Sequence, residues 1–472
     1  MRRRWRERAA ATAVALTLAA AAAAQADATP FTAPDGSRFL LCPDPTAAAV
    51  HWAVASPIDL AQDPPGHEGL AGTVARASLH GTWRIGSHDA AREKEALLWL
   101  EEAWLRMLRD PRDAVAADDV KRWDDAAREL ADRRAWLRAL AAAPAWQPEL
   151  TAVGGAAVLT VTTTRAALPE VARLLVERRE DVALRELPRA WMETFQARGR
   201  AHVADGRRGV RAELLALTMP DQPGSRAVEA PNPAPPTREQ ATACWAASQH
   251  PTRVRHVLVG DFDVAAAQAT LAAAFARSDL VAPSTPSNAR PRPLAGVRRS
   301  SVAGVPTPVV ALAWPLPDGL DGDTLAATLL WLGGDDGAIT RRVRADGRAT
   351  ARVTLTGPWP SAPDGLGLLV VEATDPSGQA GLGDAVLAAC RAAIAAPPTA
   401  ADIGRIERAR VRGWQASNGD ARAQAAAAAA RWLTWPSQPP RLGPPPAPDA
   451  KLLLDCAQRL CGAPPAIVEG AP

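Results

Sequence analysis

The sequence predicts an α+β protein of two similar lobes, each a mostly antiparallel sheet with helices packed on one face. Three observations predict it. Short β-branched and apolar runs alternate with amphipathic helical stretches along most of the chain. Residues Ser278 to Pro293, rich in Pro, Ser and Asn, read as a linker between the halves. The halves also end alike. Ala243–Asp261 reads as a helix, a polar turn and a strand closing on Gly-Asp, and Asp455–Gly470 repeats helix, turn and strand, closing on Glu-Gly. Such an echo points to duplication. The expected boundaries are 1–26 for a leader, 27–277 for the first lobe, 278–293 for the linker and 294–472 for the second lobe.

In the first half, the turn Pro34-Asp35-Gly36 leads into a strand at Arg38–Cys42, and a second strand follows at Val50–Ala55. Gly69–Leu79 has helical character. A long charged helical region, an insertion at 92–140, is interrupted at Pro111. Leu97, Leu98, Leu100, Trp104, Leu105 and Leu108 mark one apolar face of it, and Val120, Trp123, Leu130 and Leu137 another. It reads as a helical hairpin laid on the lobe. A strand at Val158–Thr164 and a helix at Ala166–Arg179 follow. After a proline-rich crossing from Pro220 to Pro236 come the helix Arg238–Ser248, the strand Val254–Val259 and a helix at Val264–Arg277 capped by Asp263.

The second half runs as strand Pro308–Trp314, helix Asp323–Leu332, a Gly-rich turn and a short helix Ile339–Ala345. Strands Ala349–Thr356 and Gly367–Thr374 come next, then helices Leu382–Ala395 and Ala400–Trp435, the latter weak at Asn418-Gly419. Helix Asp449–Leu460 and strand Ala466–Glu469 close the chain.

The first 26 residues read as a secretory signal: five Arg before an Ala-rich apolar core, then Ala24-Gln25-Ala26 as a small-x-small cleavage site. The core is short of the roughly 20 strongly apolar residues a span requires, and no later segment could span a bilayer. The expected location is the periplasm or the medium. The leader carries five Arg and one Glu, or +4, so the whole-chain +3 becomes about −1 once it is removed. No basic footprint for nucleic acid remains. Of five cysteines at least one is unpaired; Cys456 and Cys461 lie close enough in sequence to pair, while Cys42, Cys244 and Cys390 read as buried thiols.

One ordered series of blocks stands out. Gly36, the hairpin to Ala55, Asp63-Pro64-Pro65-Gly66, Gly69-Leu70-Ala71 and Gly81-Thr82 follow one another at set spacing. Together they resemble the N-terminal signature of the insulinase/pitrilysin metallopeptidases, the inverzincins. Val257–Asp263 is similar to that family's domain-closing strand and turn, and Gly333-Gly334 with Arg341–Arg352 resembles its second-half helix–strand unit. The resemblance implies a half clamshell of two lobes. Active members carry H-x-x-E-H on the helix after Gly-Leu-Ala. Two His at i and i+4 share a face and bind zinc, and the Glu between them is general base toward the metal-bound water.

Aligned without gaps, the first His becomes Gly72, the Glu becomes Ala75 and the second His becomes Arg76. Gly72 and Ala75 offer no donor atom, and Arg76 puts a permanent cation where a dication would sit. The third ligand would fall near Glu193, which reads as an ordinary helix-surface Glu. The resemblance also implies a substrate-holding Arg followed seven residues later by a Tyr. Arg344 matches the Arg, with a solvated arginine of the run 341–348 as the other reading; Ala351 stands at the Tyr position, and the chain has no tyrosine.

No other catalytic constellation replaces this one. His51, His67, His80, His88, His202, His250 and His256 include no pair three or four residues apart. Gly333–Gly337 lacks the Lys-Ser/Thr of a phosphate loop, and no G-x-S-x-G, C-x-x-C or dinucleotide fingerprint occurs. The expectation is an exported pseudo-peptidase with no metal cofactor. It would pair with a catalytically intact homologous subunit and help to hold an extended peptide. Two other readings stay open: a stand-alone binding scaffold outside the cytoplasm, and a zinc peptidase with relocated ligands.

Overall fold

The alternating apolar runs pair into two sheets. The structure, a computed structural model, describes residues 28–471 apart from 59–66, 68, 154, 205–206, 221–234, 281–290, 292, 306–307, 360–366, 377, 379 and 419. The expected leader, Asp63–Gly66 and most of the expected linker lie outside the described residues.

The first sheet contains β1 (Thr29–Thr32), β2 (Arg38–Pro43), β3 (Val50–Pro57), β4 (Ala145–Val153), β5 (Ala156–Thr163) and β6 (Arg255–Gly260), in the order β1-β2-β6-β3-β5-β4. Only β2 and β6 run parallel. The second contains β7 (Arg298–Val302), β8 (Val309–Pro315), β9 (Arg352–Trp359), β10 (Leu368–Thr374) and β11 (Ala466–Gly470), in the order β7-β11-β8-β10-β9. Only β7 and β11 run parallel. With β1 set aside, the two sheets share strand order and strand sense. Strands β6 and β11, which close the two echoing segments, occupy the same place in both. The duplication read from the sequence is therefore present in the topology.

Each sheet carries its own lobe's helices on one face. In the first lobe, α4 (Ala135–Ala142), α5 (Leu168–Glu180) and α9 (Val264–Ala274) bury Phe39, Trp52, Leu159 and Val161 under Trp136, Leu174 and Leu271. In the second, α10 (Gly322–Leu332), α12 (Leu382–Ala393) and α15 (Ala450–Cys461) cover Leu312, Trp314 and Val371.

The opposite faces are covered as well, each by a helix from the other half. Leu40, Ala53, Val158 and Val257 of the first sheet pack under α14 (Ala421–Thr434), a helix from the second half. Reciprocally, α7 (Arg207–Thr218), from the first half, covers Val309, Ala311, Val370 and Val468 of the second sheet. Each lobe lends the other a helix. Strands β5 and β6 are consequently buried along their whole length and β8 up to Trp314, as expected for a sheet sandwiched between helices.

The 92–140 region forms three helices instead of a hairpin: α2 (Ala90–Arg109), α3 (Ala114–Leu130) and α4. The extra break has a cause. Ala131 pairs with Ser87, and the Asp132 N–H donates to Gly86 O at 2.7 Å, which draws the chain out of helix at that point. The weak point at Asn418-Gly419 likewise separates α13 (Ala400–Asn418) from α14, whose N-cap is Asp420.

Cys456 and Cys461 do not pair, and all five cysteines are buried. Both lie on α15 five positions apart, and a rise of about 1.5 Å per residue separates them by roughly 7.5 Å along the axis. A disulfide needs Cα atoms within about 7 Å. Burial pushes the Cys461 thiol up to about 12.

Candidate functional site

The helix α1 (Leu70–Ala77) begins at Gly69, whose φ of +94° only glycine adopts freely. Leu70, Ala71, Val74 and Ala77 turn inward against Leu187, Trp191 and Trp245, which come from α6 (Leu187–Ala204) and α8 (Arg238–Gln249). Thr73 ties α1 to α6: its hydroxyl donates to Gly69 O at 2.9 Å and lies 3.1 Å from Thr194 Oγ1. The positions aligned with the metal motif lie differently: a Cβ added at Gly72 would meet nothing within 4 Å, Ala75 is buried, and Arg76 is exposed. No ion pair or hydrogen bond joins the Arg76 side chain to another described residue. Glu193 is exposed on α6, one position before Thr194, as the sequence reading held. These residues do not fit zinc: two of the three helix positions lack donors, and the third is a cation.

The helix is held from beneath by residues that sequence reasoning did not single out. Ser78 Oγ donates to Ala75 O at 2.6 Å and receives the Arg178 guanidinium at 2.6 Å. Arg178 is buried between the rings of Trp136 and Trp245, 5.7 and 4.9 Å away, and burial pushes its pKa down to about 9. No carboxylate among the described residues pairs with it. Beyond α1, Gly81 has φ +100°, and a Cβ there would collide with the Arg185 guanidinium. Arg185 is fully buried. It donates to His80 O and Thr82 O, each at 2.8 Å, and to the buried Glu93 at 2.5 Å. Thr82 Oγ1 in turn donates to Glu177 at 2.8 Å. The Gly-Thr pair that carried part of the resemblance is thus a structural clamp. Its partners are about a hundred positions away in sequence, so no local pattern could have revealed it.

The histidines are scattered. His256 is buried, stacked on Phe39 at 4.5 Å and accepting from Trp52 Nε1 at 3.3 Å. His51 contacts Thr162, His67 contacts Gln240, and His250 contacts Thr252. Burial lowers the pKa of His51, His80, His250 and, most strongly, His256. Among the described residues no group of three or more His, Cys, Asp or Glu is placed to hold a metal ion.

Arg344 lies on α11 (Ala338–Ala345), in the lobe opposite α1. Its Nε donates to Ala351 O at 3.0 Å, and its two Nη atoms reach Asp335 O and Oδ1 at 3.1 and 3.4 Å. The guanidinium bridges the very residue that stands where the resemblance places a Tyr. A guanidinium has five N–H groups, so two remain for another acceptor.

No protein-family model matches the chain, and no curated protein matches it. Solved structures do. A peptidase M16 inactive domain from Pseudomonas fluorescens superposes with a TM-score of 0.63 at 16% identity, covering 95% of this chain and 98% of that one. Pitrilysin superposes with a TM-score of 0.56 at 13% identity over 94% of this chain. The chain has the insulinase/pitrilysin fold. The periplasmic protease PqqL from Escherichia coli is similar too, with a TM-score of 0.59 at 12% identity over 94% of this chain. The chain spans 45% of pitrilysin and 45% of PqqL, against nearly all of the Pseudomonas domain. It therefore corresponds to one half clamshell of the insulinase/pitrilysin architecture.

Proposed function

We propose that this chain is an exported, non-catalytic half of an insulinase/pitrilysin-type clamshell, and that it pairs with a zinc-bearing homologue around an extended peptide. One observation carries the reading: the helix that the resemblance aligns with the zinc helix carries Gly72, a buried Ala75 and an exposed Arg76 in place of the two His and the Glu. The Pseudomonas structure of similar extent is described as an inactive domain, and PqqL as periplasmic, which supports both parts of the proposal. The two 26-residue and 16-residue segments at 1–26 and 278–293 would serve as leader and interlobe linker.

Peptide would bind by its backbone. Strands β4 and β9 end the two sheets, and an extended chain can add to such an edge through main-chain hydrogen bonds. Arg344, with donors to spare, would contribute one contact to a peptide carbonyl. Co-expression with a homologue carrying an intact H-x-x-E-H motif tests the pairing. The proposal expects a stable heterodimer and peptide cleavage above that of the homologue alone. A homologue that is fully active alone and never co-elutes with this chain would overturn it.

A further inference from the structure

The 92–140 insertion carries a second apolar face that no other element among the described residues fully covers. On α2, Ala96, Leu97 and Leu100 are buried with Ala127 of α3. Leu98, Leu105 and Leu108 lie on another stripe, at i, i+7 and i+10, and with Trp191 and Met192 of α6 they line a groove of about 330 Å³. Leu98 is 56% exposed and Leu108 37%. Single exposed leucines need no explanation, but a stripe that faces a groove with a tryptophan floor does.

The groove is built, and its walls are braced. Arg238, at the start of α8, reaches across to Glu101 of α2 at 2.5 Å and also donates to Ala183 O at 2.7 Å. Both side chains of that pair are 15% exposed. Arg238 supplies the groove's one cationic side chain among the described lining residues, and Glu101 neutralises it. Glu102 and Glu239 remain as exposed carboxylates on opposite walls. The floor is therefore apolar and the rim acidic.

We infer that this groove docks an amphipathic helix of a partner protein, one with apolar residues at i, i+3/i+4 and i+7 flanked by Lys or Arg. The ten steps from Leu98 to Leu108 span about 15 Å, or nearly three turns of a docked helix. Charge argues against a second copy of this chain, because isologous pairing would set Glu102 and Glu239 against their own counterparts. The inference does not depend on the pseudo-peptidase reading.

Two fluorescein-labelled 18-residue helical peptides test it by anisotropy on the full chain: one with a Leu stripe and Lys flanks, the other with the same stripe and Glu flanks. The Lys peptide is expected to bind at least about tenfold more tightly than the Glu peptide, with an affinity that falls as salt rises. Leu98→Asp/Leu108→Asp, at exposed positions, should abolish binding while the thermal melt stays unchanged. Glu102→Lys/Glu239→Lys should reverse the preference toward the Glu peptide. Equal binding of both peptides, no binding of either, or indifference to the charge reversal would overturn the inference. So would self-association of the wild type that Leu98→Asp abolishes, because the occupant would then be a second copy.

Discussion

Replacing Arg185 by Met tests the clamp that follows α1. The guanidinium is 1% exposed and Glu93 0%, and the two meet at 2.5 Å. Removing one partner of a buried pair leaves the other charge uncompensated, which costs about 3–5 kcal/mol. The carbonyls of His80 and Thr82 also lose their donor. Methionine refills most of the volume, so the loss comes from the charge and the unmet carbonyls. Urea unfolding, followed through the first transition of a two-lobe chain, reads the cost. Glu93→Leu and the double variant complete a double-mutant cycle. With both charges gone, the double variant should be about 2 kcal/mol or more better than the sum of the singles. A cost below about 1 kcal/mol for Arg185→Met, or strict additivity, would refute the reasoning.

Three further outcomes follow from the same structure. Burial holds the folded-state pKa of His256 well below the ordinary histidine value, so the unfolded chain binds the proton more readily. Stability should then fall as pH drops below about 6.5 toward the folded-state pKa, by up to about 1.4 kcal/mol per pH unit, and His256→Gln should flatten a thermal-melt series across that window. Trp432→Ala removes a large side chain from the face that α14 lays on the other lobe's sheet, and it should cost about 3–5 kcal/mol by denaturant titration. Arg178 is a buried cation without a carboxylate partner among the described residues, so Arg178→Met should be neutral or stabilising by about 1 kcal/mol in the same titration.

How much was legible depended on the range of the interaction. Helices with an Asp cap were placed within a few residues: α9 after Asp263, α15 after Asp449, and α10 beside Asp321. The echo between α8–β6 and α15–β11 held because it rests on local helix–turn–strand order. Strands β1, β4 and β7 went unread. β4 contains Pro148 and has a register irregularity between Trp146 and Glu149, both signs of an edge strand that weaken the alternating pattern.

The exchanged helices were illegible for a different reason. In α14 a run of alanines is apolar on every side, so nothing in the sequence says which face is covered or by what. The degenerate helix α1 could be read at Gly72, Ala75 and Arg76 because a motif defines those positions. Its support by Ser78–Arg178 and by Arg185–Glu93 could not, because contacts across about a hundred residues leave no local trace. The face read from Leu97 to Leu108 proved to be two: one buried against α3, and one lining a groove among the described residues.

The central claim is that α1 cannot hold zinc and that Arg76 opposes it. Zinc analysis and titration of the purified chain test that claim, alongside Gly72→His and the triple variant Gly72→His/Ala75→Glu/Arg76→His. A Cβ at position 72 would meet nothing within 4 Å, so the substitution starts in open space. The account predicts no tight zinc in the wild type and none in Gly72→His, where Arg76 still stands one turn away, with affinity appearing only in the triple variant. Stoichiometric zinc in the wild-type chain, together with peptide cleavage, would contradict it.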